Sequence, residues 1–242
     1  MTVRAIGVIP ARYAATRFPG KPLAMLWGKP MLQHVWERSR AIIGLDRLVI
    51  ATDDSRIANA AWGWGAEVEM TSPSCTSGTD RVAEVARRDP TAEIVLNLQG
   101  DEPELDGAAV ATLVAGMRAD PGIRMATLAH EEEHPGRLEP PEVVKVVMGA
   151  DGYAVYFSRA MIANAAGGGP VLRHVGVYGF RRDLLLEFAA WPPGVAEQAE
   201  RLEQLRALEH GVRIKVFAGT RPFSGIDTPE QLAALEARGP RG

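Results

Sequence analysis

The sequence predicts an α/β fold built on a parallel sheet. Short apolar runs at residues 6–10, 48–52 and 94–98 read as buried strands, too short for helices. Stretches with helical spacing lie between them, at residues 30–39, 55–63 and 82–88. Strand, helix and strand alternating at this spacing argue for βαβ units. The runs also end in polar or charged residues: Arg12 beyond the first, Asp53 and Asp54 beyond the second, Gln99 to Asp101 beyond the third. Sheets of this kind bind ligands in the crevice outside the carboxyl ends of their strands.

The bulk numbers narrow the class. The 242 residues suffice for one large α/β domain or two small ones, and the chain reads as a single domain over residues 1–242. Apolar residues are 46% and charged residues 24%, enough to bury a sizeable core. A net charge of −3 leaves no global basic field for nucleic acid or an anionic membrane. The single cysteine, Cys75, excludes an internal disulfide and a cysteine-rich metal site. No apolar run approaches the ~18 residues of a membrane span. The amino terminus enters a strand with no signal-like region, so a cytoplasmic protein is expected.

Taken in order, the first strand leads into a loop carrying Arg12, Arg17 and Lys21 among the small residues Ala11, Ala14, Ala15 and Gly20. Such a loop brings backbone N–H groups and cations close to a polyphosphate. It is neither the dinucleotide fingerprint nor a Walker loop. A helix over 30–39 follows, with His34 as a surface or half-buried residue. The strand at 48–52, a short helix and an alternating edge strand at 67–70 come next. Residues 76–81 open the helix running to Arg88; Ser77 or Thr79 is a candidate cap, and a Ser-Gly turn with Arg81 at a helix start also suits a base edge or a phosphate. The strand at 94–98 delivers Asp101, a hard oxygen ligand suited to Mg²⁺ on phosphates.

The second half reads as a helix over 107–119 and strands at 125–129, 143–148, 153–157, 172–180 and 214–217. The run from Glu131 to His134 is a solvated charge cluster. Asp151-Gly152 marks a hairpin. On the strand at 172–180, His174, Gly176, Tyr178 and Phe180 share one face. Residues 164–170 form a glycine-rich loop. A long helix is expected from Glu197 to His210, and a C-terminal helix begins near Pro229, with Asp227 a candidate cap.

Together these segments resemble the 3-deoxy-manno-octulosonate (Kdo) cytidylyltransferase family, over nearly the whole chain. Residues 9–23 resemble its I-P-A-R-Y-x-S-T-R-x-P-G-K-P-L, residues 77–84 its S-G-T-[ED]-R-x-A-E, and residues 97–103 its N-x-Q-G-D-E-P. Residues 153–159, 173–180, 202–206 and 225–229 resemble Y-A-x-Y-F-S-R, R-H-x-G-x-Y-[GA]-[FY], L-E-Q-L-R and G-[VI]-D-T-P. The resemblance implies a Rossmann-like mixed sheet of the nucleotide-diphosphosugar transferase type, with a small antiparallel lobe near residues 125–180 serving a homodimer. It implies that Arg12 and Lys21 hold the triphosphate of CTP. Ser77, Gly78 and Arg81 would fix the nucleotide, and Asp101 and Asp227 would bind Mg²⁺. Gln99, His174, Tyr178, Glu203 and Gln204 would line the pocket of an acidic sugar acceptor. The implied reaction transfers CMP to a sugar hydroxyl and releases pyrophosphate, in a step toward lipopolysaccharide.

The chain departs from the family at three places. Ala163 to Gly169 replace a longer loop that reads I-P-x-x-R, Ala15 stands for a serine, and Glu142 for an asparagine. The phosphate and metal motifs are intact while the sugar side is altered. An altered acceptor is therefore an alternative: an amino-Kdo, another ulosonic acid or a phosphonate. A non-catalytic nucleotide-binding protein is disfavoured, because Lys21, Asp101 and Asp227 are all present.

Overall fold

The computed structural model describes residues 3–14, 18–132, 140–162, 172–219 and 225–240. Arg17, Ala15, the charge cluster's end at Glu133-His134 and the altered loop at 163–170 lie outside them. In chain order the elements are β1 (Ala5–Ala11), a 3₁₀ turn (Lys21–Leu23), β2 (Met25–Leu26), β3 (Lys29–Pro30), α1 (Met31–Arg40), β4 (Arg47–Thr52), α2 (Ser55–Gly63), β5 (Glu67–Met70), α3 (Gly78–Arg88) and β6 (Ile94–Asn97). Then follow α4 (Gly107–Ala119), β7 (Met125–Glu131), β8 (Lys145–Met148), β9 (Ala154–Ser158), β10 (Leu172–Arg181), α5 (Arg182–Phe188), α6 (Val195–Glu200), α7 (Leu205–Glu209), β11 (Ile214–Ala218) and α8 (Pro229–Arg238). The chain divides into two compact units: residues 1–108 with 223–242, and residues 109–222.

In the first unit β1 pairs in parallel with β6 on one side and β4 on the other, and β4 pairs with β5. A strand flanked on both sides needs apolar residues on both faces, so Ala5, Ile6, Val8 and Ile9 are all buried. β5, with β4 as its partner, alternates polar and apolar residues in sequence, and none of its four residues is buried. Local chemistry sets the helix starts. Asp54 caps α2 by accepting from the Arg56 amide at 2.9 Å. Ser77 and Asp80 form a reciprocal capping box at α3. Thr228, rather than Asp227, caps α8 by accepting from the Gln231 amide.

The second unit holds a mixed sheet. β11 runs parallel to β7, and β10 is antiparallel to both β7 and β8, with β9 antiparallel to β8. The expected lobe near 125–180 lies inside this unit. The hairpin at Asp151-Gly152 forms as read, with Gly152 at φ 78°. β10 carries an irregularity between Val175 and Tyr178 that periodicity does not announce.

One element differs from expectation. Residues 197–210 do not form a continuous helix: α6 ends at Arg201, which turns left-handed at φ 55° and ψ 47°, and α7 restarts at Leu205. Leu202 is buried at the break, and Arg206 reaches back to Glu197 in an ion pair with both carboxylate oxygens. The tertiary pairing overrides helix propensity there. The sequence reading also lacked α5, which starts directly where β10 ends, and the short β2–β3 hairpin. Among the described residues no helix is long and apolar enough to cross a membrane.

Candidate active site

The loop after β1 is folded back on itself by a backbone bond from Gly20 N–H to the Tyr13 carbonyl at 2.9 Å. Gly20 sits at φ 74°, and a Cβ there would press on the Tyr13 ring at 3.1 Å. This fold-back places the 3₁₀ turn beside the carboxyl ends of β1 and β6. A side chain on Gly100 would lie 2.9 Å from the Pro10 carbonyl oxygen, so only glycine lets these two strand ends approach.

Between them opens a cleft of about 300 Å³ in the first unit. It is lined by Pro10, Ala11, Arg12, Phe18, Lys21, Pro22, Cys75, Ser77, Gly78, Arg81, Gln99, Gly100, Asp101 and Asp227. Eight residues read from the sequence as nucleotide, metal or acceptor contacts thus line one cavity. They are Arg12, Lys21, Ser77, Gly78, Arg81, Gln99, Asp101 and Asp227.

The centre of the cleft is a charged triad. Lys21 Nζ donates to Asp101 Oδ2 at 2.7 Å, to Asp227 Oδ1 at 3.3 Å and to the Ile226 carbonyl at 2.9 Å. The Lys21 side chain is 15% exposed, Asp101 27% and Asp227 39%. Two carboxylates some 126 positions apart in sequence therefore share one ammonium, so the three side chains together carry a formal excess of one negative charge. Two hard oxygen donors with excess negative charge beside a cleft fit Mg²⁺, which takes one or two carboxylates and completes its shell with phosphate oxygens and water. Among the described residues no group of three or more His, Cys, Asp or Glu could hold a metal ion by itself.

The residues read from the sequence as nucleotide contacts differ in their surroundings. Arg12 is exposed at the cleft mouth. Ser77 Oγ is engaged as the cap of α3, and a Cβ on Gly78 would lie 3.3 Å from the Pro10 ring. Arg81 is buried; it pairs with Asp53 at 3.2 Å and bonds Thr71 Oγ1. Asp53 is a residue that sequence reasoning noticed only as a strand terminus; its pairing with Arg81 could have been suspected from its place beyond β4. Cys75 donates to Glu84 at 3.3 Å, and burial raises its thiol to about 11.

The other residues read from the sequence as acceptor contacts belong to the second unit. The His174 ring lies edge-on to Phe157 and 5.4 Å from the Tyr178 ring, and its Nε2 meets Thr127 Oγ1 at 3.0 Å. Burial pushes the His174 pKa down to about 3, so the imidazole is neutral. Glu203 and Gln204 stand in the turn between α6 and α7, not on a helix face. Glu203 lies 3.7 Å from Arg206, and the amide nitrogen of Gln204 is buried without a hydrogen-bond partner. α7 packs on β9, which also carries Phe157.

Comparison with known proteins decides the family. The family model described as cytidylyltransferase matches residues 6–214. The chain belongs to the cytidylyltransferase family. Within that family it is 52% identical over 241 residues to a 3-deoxy-manno-octulosonate cytidylyltransferase of Anaeromyxobacter sp. (strain Fw109-5), covering 97% of both chains. A second protein of that name, from Myxococcus xanthus, is 46% identical over 97% of this chain and 96% of its own. A solved structure of CMP:2-keto-3-deoxy-manno-octonic acid synthetase complexed with CTP superposes with a TM-score of 0.91. It is 43% identical over 97% of this chain and 98% of that one. The Rossmann-like cytidylyltransferase fold expected from the sequence is thereby borne out.

Proposed function

We propose that this cytidylyltransferase transfers CMP from CTP to the anomeric hydroxyl of Kdo and releases pyrophosphate. The convergence of Lys21, Asp101 and Asp227 in one cleft carries the reading. The identities of 46–52% to proteins named for Kdo favour Kdo itself over an amino-Kdo, another ulosonic acid or a phosphonate.

The cleft residues account for the chemistry by charge and alignment. The sugar hydroxyl attacks the α-phosphorus of CTP, its O–P bond forms, and the bond to the pyrophosphate oxygen breaks. The barrier lies in bringing an oxygen nucleophile to a polyanion and in the charge gathering on the leaving group. Arg12 and Lys21 supply fixed positive charge against the phosphates. Asp101 and Asp227 would hold Mg²⁺, which when bound supplies charge neutralisation and polarises coordinated oxygens. Lys21 now bridges those two carboxylates; once they are otherwise compensated, its ammonium is free to face phosphate oxygens. The neutral His174, with Tyr178, Glu203 and Gln204, would contact the acceptor, and a neutral imidazole can accept as well as donate a hydrogen bond.

Two coarser expectations belong to the same reading. The exposed Val155 and Tyr156 on β9 support a homodimer built on that lobe. A cytoplasmic enzyme supplying an activated sugar for lipopolysaccharide completes it. The test is pyrophosphate release with Mg²⁺ from CTP, UTP, ATP or GTP and a panel of acidic acceptors. CTP with Kdo should exceed every other pair; equal turnover with UTP, or preference for another acid, would refute the assignment.

A further inference from the structure

Asp227 stands just before α8, which is held at its far end by an ion pair from Arg238 to Glu104 at 2.5 Å and along its length by a few apolar contacts. No residue of α8 is fully buried. Leu232 and Leu235 pack against the buried Leu26, Met31 and Ile226, alongside Trp27. Ile226 donates its N–H to the Asp101 carbonyl at 2.9 Å, so the two acidic residues are also tied through backbone.

The partner surface for α8 is the β2–β3 hairpin, and its turn is unusual. Trp27 and Gly28 are the two central residues, at φ 47° and 79°. Positive φ at both is the signature of a type I′ turn, which Asn, Asp and Gly adopt readily. A bulky residue in the left-handed region costs on the order of 1 kcal/mol, and such strain persists where surrounding structure requires it. Here two contacts require it. The Trp27 N–H donates to Glu236 Oε2 at 2.6 Å, and the indole covers the apolar seam under α8. The hairpin follows directly on the turn that bears Lys21, so it joins the lysine to the helix that Asp227 precedes.

We infer that the bond from the Trp27 amide to the Glu236 carboxylate is a latch that docks α8 and so positions Asp227 against Lys21 and Asp101. Trp27 and Glu236 are positioning residues; neither lines the cleft. The inference rests on the proposed Mg²⁺ role of Asp227 for its consequence, though not for the latch itself. When docking is only marginally favourable, weakening it depletes the binding-competent state and lowers apparent metal affinity in proportion.

Hydrogen exchange of the intact protein and Mg²⁺ titration in the presence of CTP, followed by thermal shift, test this together. Glu236→Ala should raise exchange at the Ile226 amide and through residues 229–238. It should also weaken the Mg²⁺ midpoint roughly three- to tenfold, as loss of one charge-assisted hydrogen bond to an exposed group implies. Glu236→Gln keeps an acceptor and should stay within about twofold of the parent on that same basis. Trp27→Gly keeps the turn, removes the indole and should loosen α8 as well. Unchanged exchange in Glu236→Ala overturns the latch, and loosened exchange with an unmoved Mg²⁺ midpoint overturns its positioning role. Asp227→Asn is the separate control: an unmoved midpoint there defeats the metal reading, and exchange at Ile226 still decides the latch.

Discussion

The two units solve different electrostatic problems. In the first, charges are gathered: Lys21, Asp101 and Asp227 converge from three distant parts of the chain on the carboxyl ends of parallel strands. In the second, charge is paired or removed: Arg206 is matched to Glu197, His174 is held neutral among aromatic rings, and Gln204 is a buried neutral amide. A polyanion needs fixed countercharge that does not reorganise during reaction. The hydroxyls of a sugar acid need shaped hydrogen-bonding groups, among which an unpaired buried charge would be costly. The geometry of the first unit comes from regular strand ends, while that of the second comes from irregularities: an interrupted ladder in β10 and a left-handed residue at Arg201.

The contrast breaks most decisively at Lys21. Lys21→Ala should lower kcat/KM by roughly a thousandfold, with the acceptor KM little changed, because fixed charge on a phosphate is worth that much in a water-poor cleft. Steady-state kinetics on both substrates would show it, and a loss confined to acceptor KM would contradict the division of labour. In the second unit the corresponding blow is structural. Arg206→Met should cost about 3 kcal/mol in urea unfolding, since it strands the buried Glu197 carboxylate. Adding Glu197→Met should recover much of that loss, whereas additive losses would mean the pair is not coupled.

A smaller effect sharpens the claim of neutrality in the second unit. The folded pKa of His174 lies below the unfolded value, so the unfolded chain binds more protons between about pH 6.5 and 3. Stability therefore falls as pH drops through that window and is fully present above it. His174→Gln should flatten this slope, by about 2 kcal/mol between pH 7 and 5. His130, also lowered by burial, adds a slope of the same sign that the variant leaves in place. Denaturant midpoints across pH 5–7.5 would check the difference; equal slopes would mean that His174 titrates normally. The least effect belongs to Cys75, which lines the charged cleft yet should alkylate at least about tenfold more slowly in the folded than in the unfolded protein at neutral pH, its thiol being pushed up to about 11.

Most of the first unit was readable from residues. Apolar runs located β1, β4 and β6, the capping pattern located α3, and strand-end logic picked out Asp101. The second unit was less readable. Residues 197–210 have helical composition throughout, and nothing local marks Arg201 as left-handed. The break follows from Arg206 seeking Glu197 and from Leu202 turning inward. The departure from the family at 163–169 likewise pointed toward another acceptor, while the relatives' names point to Kdo.

By itself the sequence determined the element order, the parallel core and the residue types available for phosphate and metal, because periodicity, caps and strand-terminal chemistry are local. Only the tertiary structure decided that one ammonium spans two acids from remote segments, that Trp27 adopts a left-handed conformation to meet Glu236, and that a histidine is kept uncharged. Those outcomes depend on distances and desolvation between parts of the chain far apart in sequence, and no local pattern encodes either.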